Sequence, residues 1–312
     1  MTETSRDSLT RSAALASIGV AAILIALKSW ASWKTGSTAM LGSLADSALD
    51  LVASLATLVG VWVAAQPADR NHRFGHGKAE AVAALVQVVL IALSAFGIAI
   101  RSIEQLLAGS RVQAPAEGMW VSAIAILLTF ALLAWQRHVL SRTGSVAIRT
   151  DHLHYKSDLL LNLAVIAALA LDAWAGLGWA DPLFGLAIAA WLAWGAREAS
   201  SEVVAQLMDE EWPEERRLAF VAAAAEHPEL SNLHDLRTRT AGNRDFVQFH
   251  VDMPGDMSVQ RAHDILEKVE ADLCRRFPDM ELLIHIDPEG HVDEPDNPLV
   301  ETDEFKQLKD QQ

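Results

Sequence analysis

Apolar residues in the first two thirds of the chain fall into six long blocks, roughly 13–33, 38–65, 80–107, 117–140, 150–176 and 181–207. Two of them contain charge-free runs, Ala81–Ile100 and Gly118–Gln136, each near the ~20 residues needed to cross the hydrocarbon core of a bilayer. The pattern predicts an α-helical membrane domain with six transmembrane helices. After residue 207 the periodicity changes. Pro213–Glu226 fits a helix with proline near its start. Two alternating stretches, 233–240 and 245–253, flank the turn signal AGNR and predict paired strands. Ser258 then caps an amphipathic helix reaching Phe277, and a last strand, Glu281–Asp287, stops before Pro288. The order αββαβ predicts a small α/β domain, an open antiparallel or mixed sheet with helices on one face.

Three regions follow: 1–207 membrane-spanning, 208–290 a soluble domain, and 291–312 an acidic tail too poor in apolar residues to fold on its own. The charge agrees with this division. Of the formal −15, residues 1–207 contribute none (14 acidic, 14 basic), whereas 208–312 carry 26 acidic and 11 basic residues. The chain is 51% hydrophobic with mean hydropathy +0.19 over 312 residues, which fits a membrane fraction. The acidic balance argues against nucleic-acid binding. The single cysteine, Cys274, excludes an internal disulfide and reads as an inert thiol on the amphipathic helix. The N-terminus has charges of both signs and no convincing cleavage site, so the first block reads as a retained span.

Basic residues cluster at the N-terminus (Arg6, Arg11), in the second loop (Arg70, Arg73, Lys78) and in the fourth (Arg137, Arg142, Arg149). The first and third loops have Lys34 and Arg111, and the fifth has none. An even number of spans with both termini cytoplasmic satisfies this bias, and the soluble domain is then cytoplasmic too.

Within the apolar blocks, Asp46 and Asp50 lie in LGSLADSALD, and His154 and Asp158 in HLHYKSD. Both pairs are spaced i,i+4, which puts each pair on one helix face. A charged side chain at bilayer depth costs about 2.5–3.5 kcal/mol on insertion scales, so two in one span call for a functional reason. Three carboxylates and an imidazole make a donor set suited to a tetrahedral divalent transition metal. A second group, Asp69, His72 and His76, sits in the loop ADRNHRFGHGKAE, where either a helical turn or a folded loop could gather it, and a simply solvated loop is the alternative. In the soluble domain, period two places His250 and, on the last strand, His285 and Asp287 on the faces opposite the apolar residues. His234 and His263 could join them, the alternative being a polar solvent face.

These motifs together resemble the cation diffusion facilitator family, closest to its bacterial zinc and ferrous-iron efflux branch. The carriers are GSLADSALD, PADRNHRFGHGKAE, HLHYKSD, HDLRTRTAG, QFHVDM and LIHIDP, and the likeness covers about Arg11 to Pro288. The resemblance implies a homodimer with six spans per subunit and a metallochaperone-like cytoplasmic domain. It implies that Asp46, Asp50, His154 and Asp158 form the transport site and that Asp69, His72 and His76 match a loop site. It also implies that His234, His250, His263, His285 and Asp287 match a binuclear zinc site bridging the dimer. On the same basis Lys78 and Asp209 match a charged pair interlocking the subunits, and Leu153 matches a hydrophobic gate. One departure is Lys156, between His154 and Asp158, where relatives tend to have a neutral polar residue.

The expectation is therefore a non-enzymatic, proton-coupled exporter of Zn²⁺, with Cd²⁺ or Fe²⁺ as other candidate substrates, in a bacterial inner membrane. Zn²⁺ is both cargo and regulator in this reading, the bilayer, protons and a second subunit being the other partners. A metalloenzyme would need an open coordination position for water, which four protein ligands close. A membrane-anchored sensor that does not transport would need no ligands at bilayer depth.

Overall fold

The computed structural model describes residues 3–35, 38–108, 116–175, 179–290 and 303–310; at some helical positions, Asp46 among them, it describes the backbone alone. The chain divides into two compact units, Met1–Leu207 and Met208–Gln312.

The first unit consists of α1 (Glu3–Thr35), α2 (Thr38–Ala64), α3 (Ala79–Ala108), α4 (Ala116–Thr143), α5 (Val146–Ala175) and α6 (Ala180–Leu207). Even the 27-residue α2 is about 40 Å long at 1.5 Å per residue, more than the ~30 Å hydrocarbon core. Among the described residues, four stretches, Ser5–Lys34, Ser47–Ala64, Ala79–Ala108 and Ala123–Thr143, are long and apolar enough to span a membrane. In α5 the apolar run is broken by Asp151, Lys156 and Asp158.

Burial in this unit is inverted relative to a water-soluble bundle. Leu49, Val52, Val59, Phe96, Leu127 and Phe130 point outward, while Ser54, Thr57, Gln87, Gln136 and Asp151 are fully buried. An apolar exterior around a polar interior is what a lipid solvent selects, since it rewards internal satisfaction of every polar group. Small residues set the helix spacing. A Cβ on Gly60 of α2 would stand 2.3 Å from the Ala83 Cβ of α3, so only glycine permits that approach. Packing is most extensive between α3 and α6 and between α1 and α2.

The second unit contains α7 (Glu214–Ala224), β1 (Ser231–Ala241), β2 (Arg244–Met253), α8 (Val259–Arg276), β3 (Met280–Pro288) and α9 (Glu304–Asp310). The sheet is mixed, in the order β1-β2-β3, with β1 antiparallel and β3 parallel to β2. Gly242, at φ 64°, makes the β1–β2 turn, and the parallel return to β3 runs through α8. Ser258 caps α8 by accepting from the Arg261 N–H. Ala262, Leu266, Val269 and Leu273 recur at three- and four-residue spacing on its buried face. They pack with Phe220 and Val221 of α7 against Val247, Phe249 and Val251 of β2.

The acidic tail differs in part from the disorder expected of it. Residues 291–302 lie outside the described residues, but α9 docks onto α7 and β1. Phe305 and Leu308 reach the core of the unit, Glu304 pairs with Arg217 at 2.9 Å, and Asp303 accepts from the Phe305 N–H. Composition averaged over the tail hides these two apolar anchors, which need an existing surface to fold upon.

Candidate metal centres

In the first unit, ligand atoms of Asp50, His154 and Asp158 lie within 4.8 Å of one another. His154 Nε2 stands 3.0 Å from Asp50 Oδ1 and 3.8 Å from Asp158 Oδ2. α5 supplies the histidine and one carboxylate from a single face, and α2 supplies the other. Tyr155, adjacent to the histidine, fixes the two helices together: its hydroxyl lies 2.9 Å from Ser54 Oγ on α2 and donates to the Ser17 carbonyl of α1. The His154 side chain is 8% exposed and that of Asp50 16%, so water screens this group poorly. The Asp46 backbone is on α2 one turn before Asp50; its side chain lies outside the described residues.

Leu153, which the resemblance matches to a gate, packs among Ile91, Ala95, Leu192 and Ala196. It is seated against Gly195 of α6, where a Cβ would come within 3.1 Å of its Cδ2. Lys156 is exposed and its ammonium lies over the Trp191 ring of α6, 5.2 Å from the centroid. The two-residue offset from His154 thus turns it to another side of α5, and its charge acts on the site only at a distance. Lys28 donates to Ser47 Oγ at 2.6 Å, between the two aspartate positions of α2.

Sequence reasoning missed a second group of buried polar residues, Gln87, Gln136 and Asp151. Asp151 lies three positions before His154, a helical spacing that could have drawn attention to it.

In the loop, Asp69, His72 and His76 are gathered by folding of the chain, not by a helical turn. Asp69 Oδ1 accepts from the N–H groups of Asn71 and His72, and the Asp69 N–H donates to the His72 carbonyl. Gly75, at φ 81°, completes the reversal. His72 Nδ1 lies 3.1 Å from His76 Nε2, and these nitrogens are 3.4 Å and 3.5 Å from the Asp69 carboxylate. The His72 N–H holds the Asp69 carboxyl below its ordinary range, against a smaller opposing effect of desolvation; the Asn71 N–H and the two imidazoles add to the lowering.

In the second unit the sheet register makes the cluster. His234 faces His250 across the antiparallel pair, and His250 faces His285 across the parallel pair. Three imidazoles converge on one carboxylate. Asp287 Oδ2 is 2.9 Å from His250 Nδ1 and 3.6 Å from His234 Nε2, and its Oδ1 is 3.5 Å from His285 Nε2. The His250 and His285 rings are 4.5 Å apart. His234 Nδ1 lies 2.7 Å from the Asn232 carbonyl. That oxygen can only accept, so Nδ1 carries a proton, which orients the ring with Nε2 toward Asp287. The backbone is bent to allow this: β1 slips register on both sides of His234, with Asn232 and Asp235 at φ 49° and 47°. The second slip brings Asp235 Oδ2 within 3.6 Å of His250 Nε2, while the carboxylate is held by Arg237 at 2.7 Å. Period-two reasoning could not find Asp235, because a bulge changes the face.

The cluster does not gather His263 within the subunit. α8 covers the apolar face of the sheet, and His263 is exposed on that helix. Lys78 donates to the Leu207 carbonyl in the first unit at 3.3 Å. Asp209, at φ 57°, accepts from Arg239 in the second at 3.4 Å. Burial pushes the Cys274 thiol up, which makes it a poor nucleophile.

Residues 14–208 match the cation efflux transmembrane domain, and residues 212–289 match the cytoplasmic domain of cation efflux proteins. The chain is 41% identical over 276 residues to the cation-efflux pump FieF of Cronobacter sakazakii, covering 88% of this chain and 92% of the relative. It is 41% identical over 284 residues to the pump of the same name from Yersinia enterocolitica (91% and 94%). With the pump of that name from Escherichia coli O127:H6 the identity is 40% over 276 residues (88% and 92%). Helices with a lipid-facing exterior, a buried carboxylate–imidazole group and a sheet-borne histidine cluster thus occur in a chain that belongs to the cation efflux family, also called cation diffusion facilitators, with both its transmembrane and its cytoplasmic domain.

Proposed function

We propose that this protein exports Zn²⁺, with Cd²⁺ and Fe²⁺ as further substrates, in exchange for protons. It works as a homodimer in the bacterial inner membrane, with both termini cytoplasmic. The observation that carries the reading is the convergence of His154, Asp50 and Asp158 from two helices of the membrane unit. Asp46, one turn from Asp50, is the fourth ligand in this reading. Metal binding requires a neutral imidazole and ionised carboxylates, so a metal ion and protons compete for the same atoms. A site that opens alternately to each side converts that competition into exchange. His154 is the proton-coupled ligand, since imidazole ordinarily titrates nearest neutral pH, and Leu153 is the gate. One imidazole among carboxylates favours a borderline metal over Mg²⁺ or Ca²⁺.

The cytoplasmic cluster serves as the metal-dependent regulator. Ions bound at His234, His250, His285 and Asp287, with His263 reaching in from the partner subunit, bias dimer closure when cytosolic metal rises. Lys78 and Asp209 form the charged interlock between subunits, and Asp69, His72 and His76 bind an additional ion.

The test is metal uptake into inverted vesicles. Asp50→Ala is expected to abolish uptake driven by an imposed pH gradient; undiminished uptake would defeat the assignment. A second reading, a sensor that does not transport, draws on the cytoplasmic cluster alone. Counterflow of labelled zinc separates the two, since only a carrier shows it.

A further inference from the structure

Asp151 of α5 is fully buried and lies about one turn before His154, outside the group of candidate metal ligands. Its Oδ2 accepts from Ser17 Oγ of α1 at 2.6 Å and from Gln136 Nε2 of α4 at 2.8 Å. Its Oδ1 accepts from Gln87 Nε2 of α3 at 2.9 Å. The same Gln87 nitrogen lies 2.7 Å from Thr57 Oγ1 and 3.2 Å from the Ala53 carbonyl, both on α2. One knot of side chains therefore joins α1 through α5.

Gln87 has a distinct place in this knot. α3 packs most extensively on α6 and also contacts α2 and α5. The Gln87 amide adds to this packing a polar tie from α3 to the two helices that carry the candidate metal ligands. Ala83 against Gly60 provides only smooth, small-residue packing across α2 and α3. The tie is also under-satisfied. The nitrogen has two hydrogens and three acceptors within reach, while Oε1 is buried with no hydrogen-bond partner among the described residues. Turning the amide over would aim its oxygen at a carboxylate and a carbonyl, so this orientation is the better one. A buried acceptor without a donor is costly, and a rearrangement that supplies one offsets the loss of the Asp151 bond.

We propose that the Gln87–Asp151 contact is the conformational latch of transport. It holds the α3–α6 pair against α2 and α5 in the state described, and it opens when the metal site changes access. The latch rests on the alternating-access reading above. Both residues position the site; neither is a ligand.

The test uses the full-length dimer in proteoliposomes, with Zn²⁺ as the probe. Gln87→Leu and Asp151→Asn each change turnover by about fivefold or more, with a smaller change in KM. The Gln87→Leu/Asp151→Asn double variant goes no further than its more affected single variant, because both remove one contact. Where Gln87→Leu does not fold, Gln87→Asn replaces it in the same comparison. Multiplicative effects or a change confined to KM would overturn the latch. Wild-type counterflow in the same vesicles separates the failures. Its absence defeats alternating access and the latch with it; its presence with unaltered variants defeats the latch alone.

Discussion

His154 Nε2 on α5 lies 3.0 Å from Asp50 Oδ1 on α2, the two residues being 104 positions apart in sequence. The contact places the one imidazole of the membrane group between carboxylates from two helices. Changing that imidazole should alter which metal is preferred while leaving a site in place. In His154→Asp the donor set becomes all-oxygen, and preference shifts toward harder ions such as Mn²⁺. Calorimetric titration of Zn²⁺ and Mn²⁺ against wild type and variant, in a background lacking the cytoplasmic cluster and the loop group, should show Zn²⁺ affinity falling by about tenfold or more relative to Mn²⁺.

In the cytoplasmic domain, Asp287 is the point on which three imidazoles converge. Asp287→Ala should therefore weaken metal binding there more than His285→Ala, whose ring is 63% exposed. His263→Ala should matter only in the dimer, because the helix that carries it covers the opposite face of the sheet. Chelator competition on dimeric and dissociated protein reads both effects; losses of roughly 10–100-fold are expected for Asp287.

The loop site has a predictable pH dependence. The Asp69 carboxyl is held below its ordinary range, chiefly by the His72 N–H. A lowered carboxylate favours the folded loop above its ordinary titration range, and that contribution is lost as pH falls through the lowered value. The Asp69 carboxyl should therefore titrate below the ordinary aspartate range, and Asp69→Asn should remove that pH dependence of the loop. Carbon-13 NMR titration of the Asp69 carboxyl measures this; titration within or above the ordinary aspartate range would contradict it.

Close packing of α2 on α3 should be intolerant of added volume. Gly60→Ala places its Cβ 2.3 Å from the Ala83 Cβ, and neither helix backbone can yield locally. A cost of about 1–3 kcal/mol is expected from overpacking. Gly195→Ala meets only Leu153 methyl groups at 3.1 Å and 3.2 Å, which can turn aside, so its effect should fall on gating. Thermal unfolding in detergent and transport rates distinguish the two.

Deleting residues 303–312 should lower the stability of the cytoplasmic domain by about 1–3 kcal/mol, the scale for one or two partly buried apolar side chains and a partly exposed ion pair. Phe305, Leu308 and the Glu304–Arg217 pair all go with the deletion. Thermal unfolding read at Trp212, buried in that domain, provides the measurement.

The histidine and aspartate clusters were legible because their spacing is local. Asp50, His154 and Asp158 lie on regular helices, and i,i+4 spacing carries directly into a shared face. His250, His285 and Asp287 were legible for the same reason on strands, where alternate residues keep to one side of the sheet. Asp235 escaped, because two register slips in β1 changed the alternation it would have obeyed. His263 entered the group through the resemblance, and within one subunit it lies on α8, which covers the opposite face of the sheet. α9 escaped because its two apolar anchors are too few to signal a helix until α7 and β1 provide a surface.

By itself the sequence determined the six apolar helices, the αββαβ order of the soluble domain and the side chains able to bind metal, all of which follow from periodicity within one element. Only tertiary structure decided which ligands meet, that Lys28 reaches Ser47, and that Gln87, Gln136 and Asp151 close on one another in the interior. Those are contacts between helices far apart in sequence. They depend on helix rotation and on the close approach that Gly60 and Gly195 permit, and neither is encoded in the period of any single segment.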